Sequence, residues 1–279
     1  MIMGGIPYYL SLLDREFSFN ANIDTLFFRK RAELWDEFNH LYKTLFSNSD
    51  RYIRIVEALS RKRMGMTRSE IAEKANLPPN GGLTGMLNDL VDSGFVRKYS
   101  FYGRKTRDTL YQLADYYTLF YYRFLKDGFG GDEHFWSNTL DHPSRRTWAG
   151  LTFEQLCKDH IPQIKRKLGI SGVLSEESSW FGSAPSDELE PGLSAQIDLL
   201  IDRRDQVINI CEIKFSLNEF VIDKDYEQSL RNKIVVFREN TGCRKTIQLS
   251  MITTYGLRRN KYSGIVSNEV VLDDLFLES

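Results

Sequence analysis

The stretch that most constrains this chain is Ala195-Gln-Ile-Asp-Leu-Leu-Ile-Asp-Arg-Arg-Asp-Gln-Val-Ile-Asn-Ile-Cys-Glu-Ile-Lys214. Two runs rich in Ile, Leu and Val flank a short polar turn, which predicts two buried strands lying side by side. Asp198 sits in the first run, and Glu212 and Lys214 sit in the second. Side chains alternate across a strand, so Glu212 and Lys214 share one face and Ile213 takes the other. A buried charge without a partner is expensive, so these three must serve one another or some further group. Two carboxylates beside a lysine can hold a hard divalent cation, Mg or Mn, and orient a water against a phosphodiester.

The arrangement resembles the PD-(D/E)XK nuclease superfamily, whose pattern is an acidic residue on one strand and acidic-x-Lys on the next. Here the strand acid is Asp198 and the second element is Glu212-Ile213-Lys214. Glu154, in Gly150-Leu-Thr-Phe-Glu-Gln-Leu-Cys157, fits the helical glutamate that often joins them. Asp198 follows Ile197 where the common pattern has proline. The resemblance implies that Asp198 and Glu212 hold the metal, with Glu154 assisting and Lys214 acting on the attacking water or the phosphate. The bland counterpart is a structural salt-bridge cluster, and for Glu154 an exposed helix residue. A helix is expected from Tyr226 to Asn240, and Gln228 on it is a weaker candidate for contact with the site.

Upstream, residues 1–49 read as a helical segment, with Phe27 to Phe46 rich in Leu, Phe, Trp and Tyr at helical spacings. Residues 50–114 read as a winged helix. Tyr52 to Arg61 forms its first helix, and Thr67-Arg-Ser-Glu70 is a capping box opening a second. Leu77-Pro-Pro-Asn-Gly-Gly82 makes the turn, Leu83 to Ser93 takes the recognition position, and Gly94 is its C-cap. Phe95–Tyr99 and Thr109–Leu113 are strands around the basic wing Gly103-Arg-Lys-Thr-Arg107. Residues 115–147 are an aromatic helix and a loop-rich bridge, and residues 148–279 form the nuclease-like domain. Glu176 to Leu193 is acidic and holds Ser, Pro and Gly, so it is expected to be a loop beside the site. The expected fold is α+β: a helical start, a winged helix-turn-helix, then an α/β domain around a central mixed sheet.

Two more segments resemble parts of a family of bacterial and archaeal AAA-type ATPases. Gly4-Gly-Ile-Pro-Tyr-Tyr-Leu10 is similar to a segment that follows their nucleotide-binding domain. Asp115-Tyr-Tyr-Thr-Leu-Phe-Tyr-Tyr-Arg-Phe-Leu125 is similar to a signature between their winged helix and a nuclease-like domain. The resemblance covers the chain in order and implies the C-terminal portion of such an ATPase. No Gly-x4-Gly-Lys-Ser/Thr occurs, so no ATP site is expected in this chain.

Charge narrows the partners. With Lys+Arg 37 against Asp+Glu 38, the chain is no polybasic binder. Between Arg51 and Leu110, however, there are 12 basic residues against 6 acidic ones. The helix in the recognition position has no Lys or Arg and carries Asp89 and Asp92, which suits packing better than the major groove. DNA contact would then fall to Arg104, Lys105 and Arg107 of the wing, gripping phosphate without reading bases. The widely spaced Cys157, Cys211 and Cys243 suit reduced, mostly buried thiols in a cytoplasmic protein. No signal peptide and no membrane span are expected. The sequence therefore supports a Mg- or Mn-dependent DNA endonuclease-like domain. A non-catalytic half of the same ATPase, binding nucleic acid, the missing ATPase domain or another protein, is the alternative. A winged-helix regulator with an unrelated C-terminal domain comes third.

Overall fold

The computed structural model describes residues 1–103, 109–128, 130–183 and 194–277. Among these the fold is α+β, with eleven α-helices and eight strands. The chain divides into two compact units, Met1–Tyr99 with Arg107–Trp148, and Ser100–Thr106 with Ala149–Ser279.

The first unit carries α1 (Pro7–Ser11), α2 (Phe19–Ile23), α3 (Glu37–Leu45), α4 (Ser49–Ser60), β1 (Met66–Thr67), α5 (Arg68–Lys74), α6 (Gly81–Asp92), β2 (Val96–Phe101), β3 (Leu110–Leu113), α7 (Tyr116–Phe120) and α8 (Phe135–Asn138). The capping box forms. The Thr67 hydroxyl accepts from the Glu70 amide at 3.3 Å, and the Glu70 carboxylate accepts from the Thr67 amide at 2.7 Å. Asn80 caps α6, and Gly94 ends it at φ +79°. β3 pairs antiparallel with both β1 and β2. Gly65 is obligatory at the entry to β1: its φ is +77°, and a Cβ there would stand 2.6 Å from the Tyr111 carbonyl oxygen.

Aromatic packing fills this unit. Tyr117, Phe120 and Phe124 are buried and meet Phe27, Phe28, Trp136 and Trp148. The helical segment expected over residues 1–49 is broken into short pieces within Phe27–Phe46. A π-helical turn spans Asp24–Phe28, Arg31 is left-handed at φ 62°, and α3 begins only at Glu37. The buried Leu34 folds back so that its amide donates to the Leu26 carbonyl at 3.0 Å. Burial of Leu34 thus competes successfully with a helix that its neighbours alone would favour. The bridge before the second unit is also more helical than expected, since α8 forms and α9 (Pro143–Asp159) already starts at Pro143.

α9 runs on into the second unit. There it is followed by α10 (Ile161–Lys167), β4 (Ser175–Ser183), β5 (Ser194–Arg203), β6 (Val207–Lys214), α11 (Lys224–Thr241), β7 (Thr246–Thr253) and β8 (Asn268–Val271). The sheet order is β4-β5-β6-β7-β8, with Ser100 and Phe101 pairing in parallel on the outer edge of β4. β4–β5 and β5–β6 are antiparallel, whereas β6–β7 and β7–β8 are parallel, so the sheet is mixed. α11 supplies the crossover from β6 to β7, close to the expected span. Ser175–Ser183 is a strand and not the loop expected from Glu176 onward, while residues 184–193 lie outside the described set. One face of the sheet, with Leu199, Ile201, Cys211 and Ile213, packs on Phe153 and Cys157 of α9 and Ile164 of α10. On α11, Leu230, Val236 and Phe237 are buried, and Phe237 meets Trp180 of β4 edge to face.

The capping box gives a direct check of local stability. Thr67→Ala should lower the unfolding free energy by about 1 kcal/mol, and Thr67→Ser should recover most of that loss. Urea denaturation followed by tryptophan fluorescence reads both.

Candidate functional site

β5 and β6 bring the predicted acids together. Their ladder ends at the pair Leu199↔Cys211. The same register carried one residue further sets Asp198 opposite Glu212, with Lys214 two residues beyond on the same face as Glu212. Asp198 also sits on a β-bulge. Ser178 pairs with Leu200 and Trp180 with Ile197, so Asp198 and Leu199 together oppose Ser179 alone. The Ser179 hydroxyl donates to the Asp198 carbonyl at 2.8 Å. A bulge kinks the strand and re-aims a side chain, which is a common device beside functional sites.

Glu212 is only 3% exposed, and three side chains meet its carboxylate. Tyr226 donates to Oε1 at 2.8 Å, and Lys214 Nζ lies 3.1 Å from the same oxygen. Lys233 Nζ, from α11, binds Oε2. Burial pushes this carboxyl up, but the ammonium groups of Lys233 and Lys214 and the hydrogen bonds from Lys233 and Tyr226 outweigh it and hold Glu212 below the usual carboxylate range. Asp198 behaves in the opposite way. Burial, then the charges of Glu154 and Glu212, raise its carboxyl above the usual aspartate range, against the opposing pull of Lys158 and Lys233. Its Oδ1 accepts from Gln196 Nε2 at 2.7 Å.

Glu154 is no exposed helix residue. It is 3% exposed on α9 and pairs with Lys158, one turn on, at 2.7 Å. Its charge is felt at Asp198. The cluster therefore sets the carboxylates Glu154, Asp198 and Glu212 against the ammonium groups Lys158, Lys214 and Lys233. Of these lysines only Lys214 opens substantially to solvent, its side chain 38% exposed against 9% for Lys158 and 15% for Lys233.

Among the described residues no three His, Cys, Asp or Glu side chains form a metal cage. Mg is seldom held by an all-protein cage. It usually takes one or two carboxylates and keeps waters or substrate oxygens for the rest. The all-oxygen pair Asp198 and Glu212 fits that donor set, and burial together with the charges of Glu154 and Glu212 disfavours the bare Asp198 anion. Glu154, committed to Lys158, stands behind the pair.

Four contributors escape the sequence pattern: Lys158, Gln196, Tyr226 and Lys233. Two leave a trace. Lys158 follows Glu154 at the i,i+4 spacing of a helical ion pair. Lys233 interrupts the inward stripe Tyr226, Leu230, Lys233, Phe237 of α11, where an apolar residue is the norm. Gln228 bonds Asn232 at 2.9 Å and lines a cleft of about 420 Å³ that also holds Gln196, Asp225 and Lys233. The wing residues Arg104, Lys105 and Arg107 lie outside the described residues. On α6 the exposed positions are Gly81, Gly82, Gly85, Asn88, Asp89 and Asp92, and Asp89 accepts from the Tyr52 hydroxyl at 2.5 Å. Cys157 and Cys211 are buried, with burial pushing the Cys211 thiol up to about 12, while Cys243 is half-buried. No helix among the described residues is long and apolar enough to cross a membrane. No family model, curated protein or solved structure matches the chain.

The opposite shifts of the two acids predict opposite effects on stability. For Asp198 the folded-state value lies above the unfolded one, so its stabilising contribution is complete at low pH and is lost as pH rises through the folded value. Asp198→Asn should thus be more stable than wild type at pH 7, and the gain should vanish below about pH 4. For Glu212 the folded-state value is the lower, so its contribution is present above about pH 4.3 and is lost as pH falls through the folded value. Glu212→Gln should be less stable at pH 7. Thermal unfolding midpoints followed from pH 7 down to about pH 3, below both unfolded values, test the contrast.

Proposed function

We propose that the second unit is a metal-dependent nuclease-type domain of the PD-(D/E)XK kind acting on DNA. On this reading the whole chain is the C-terminal portion of an AAA-type ATPase, with a winged helix over residues 50–114. The observation that carries the reading is the convergence of Asp198, Glu212 and Lys214 on adjacent strands, with Glu154 near enough to perturb Asp198.

Asp198 and Glu212 are the ligands for Mg or Mn. A bound cation of this kind supplies Lewis acidity toward a phosphoryl oxygen and lowers the pKa of a coordinated water. Tyr226 fixes the Glu212 carboxylate by donating to Oε1, so one rotamer is held for ligation. Lys214, the most open of the lysines, presents its ammonium to solvent at the site and stabilises charge growing on the phosphate. Glu154 acts at one remove, through its field at Asp198. The exposed glycine and acidic positions of α6 support a packing role for that helix, which leaves phosphate contact to Arg104, Lys105 and Arg107. A second reading, a non-catalytic regulatory half of the same ATPase, is favoured by one observation: every carboxylate in the cluster has a lysine ammonium in its field.

A nicking assay on supercoiled and branched DNA with Mn separates the two. Wild type should nick, and Asp198→Ala and Glu212→Ala should not. Lys214→Ala should lose about a hundredfold or more while still binding Mn, because lysine is not a ligand. Arg104→Ala with Lys105→Ala should weaken DNA binding and leave Mn binding intact. Cleavage that persists in Asp198→Ala would place the chemistry elsewhere. A wild-type protein that binds DNA but cuts no substrate would favour the regulatory reading.

A further inference from the structure

Lys233 plays no part in the sequence pattern, yet it makes the closest charged contact in the cluster. Its ammonium binds Glu212 Oε2, while Tyr226 and Lys214 occupy Oε1. Both oxygens of a carboxylate proposed as a metal ligand are therefore already engaged by the chain itself. Two of these partners can stay when a cation arrives. Tyr226 is neutral, and its hydrogen bond takes one lone pair of Oε1 without adding charge. Lys214 is partly solvated and approaches from the open side. Lys233 differs on both counts: it carries a full charge, is 15% exposed against 38% for Lys214, and sits on the other oxygen.

A divalent cation bound between Asp198 and Glu212 with Lys233 still in place would bring two positive groups onto one buried carboxylate. At close range and with limited solvent access that repulsion opposes metal binding directly. The structure offers the ammonium another position. Lys233 also lines the open cleft of about 420 Å³ bounded by the polar side chains of Gln196, Asp225, Gln228, Ser229 and Asn232. Four flexible methylenes allow the head group to exchange one position for the other while the stem stays packed on α11.

We infer that Lys233 is a built-in counter-cation of Glu212, which a divalent metal must displace into the neighbouring cleft in order to bind. The inference rests on the metal-site reading of Asp198 and Glu212. It adds that Lys233 sets how tightly that site takes a metal. In the displaced position the ammonium stands in the cleft alongside the site. In the resident position it keeps Glu212 neutralised, so the sheet tolerates a buried carboxylate when no metal is present.

The test is direct titration of Mn into the full chain, with free Mn read by electron paramagnetic resonance and no DNA present. Lys233→Met keeps the stem and removes the charge, and it should bind Mn about tenfold or more tightly than wild type. Lys233→Arg should bind more weakly than wild type, because a guanidinium grips a carboxylate through two parallel hydrogen bonds. Should Lys233→Met be poorly folded without metal, Mn should raise its thermal midpoint by more than it raises that of wild type. Wild-type affinity in both variants would overturn the counter-cation role and leave the metal site standing. Failure of both wild type and Lys233→Met to bind Mn, with folding confirmed by circular dichroism, would overturn the metal reading and this inference with it.

Discussion

A carboxylate set into the middle of a sheet and sealed beneath a helix is tolerable only when its charge is met on the spot. Glu212 imposes that condition on the second unit. Its neutralisation draws Lys214 from its own strand and Tyr226 and Lys233 from α11. This fixes which face of α11 lies on the sheet, because Tyr226, Leu230, Lys233 and Phe237 follow one another at helical spacing along a single stripe. The two ends of the stripe do different work. Phe237 packs on Trp180, a dry contact that holds the helix down, while Tyr226 and Lys233 close the polar end. Removing either end would leave the other misplaced, so the apolar packing and the ion pair specify one arrangement together.

The two strand acids face similar surroundings and come out differently. Glu212 has an ammonium on Oε2 and another beside Oε1, and it is stabilised as an anion. Asp198 has only a neutral amide donor on Oδ1, and burial first and then its two negative neighbours destabilise it as an anion. Paired titratable groups whose environments push them apart are a physical signature of assigned roles. The two also differ in backbone setting: Asp198 lies on a bulge of β5, whereas Glu212 lies on a regular strand.

The sequence made much of this unit legible. Ile, Leu and Val runs around a polar turn identified β5 and β6, and the shared face of Glu212 and Lys214 follows from period-two alternation, whereas Asp198 opposite Glu212 comes from the β5–β6 register. The helix that became α11 was visible within a few residues, and the capping box at Thr67 and Glu70 formed as local chemistry dictates. What was not legible depends on contacts between segments distant in sequence. The bulge exists because β4 pairs with β5 out of step, which no local pattern announces. β4 itself is polar along much of its length, since its outward positions are exposed, and so its first residues read as loop. Leu34 broke a helix that its neighbours favoured, because its burial, with its carbonyl accepting from the distant Tyr117 hydroxyl, outweighs propensity. Lys233 was hidden for the same reason: a lysine on a helix is normally solvated, and only the position of Glu212 explains why this one points inward.

The cluster also explains why formal neutrality does not close the site to a cation. Charge that cancels in sum still leaves a local field, and that field is read by its effect on individual groups. At Glu212 the ammonium charges win, while at Asp198 burial and the neighbouring carboxylates win. On the metal-site reading, a hard cation would gain most beside Asp198 and reach Glu212 second, where an ammonium already stands. Binding would then be an exchange of one cation for another at Glu212. The cost of that exchange would depend on how well the departing ammonium is received elsewhere, and the cleft beside α11 offers Gln196, Asp225, Gln228 and Asn232. With or without such an exchange, the buried Glu212 carboxylate needs a cation within reach, and the stripe position of Lys233 on α11 meets that need without exposing Glu212 to water.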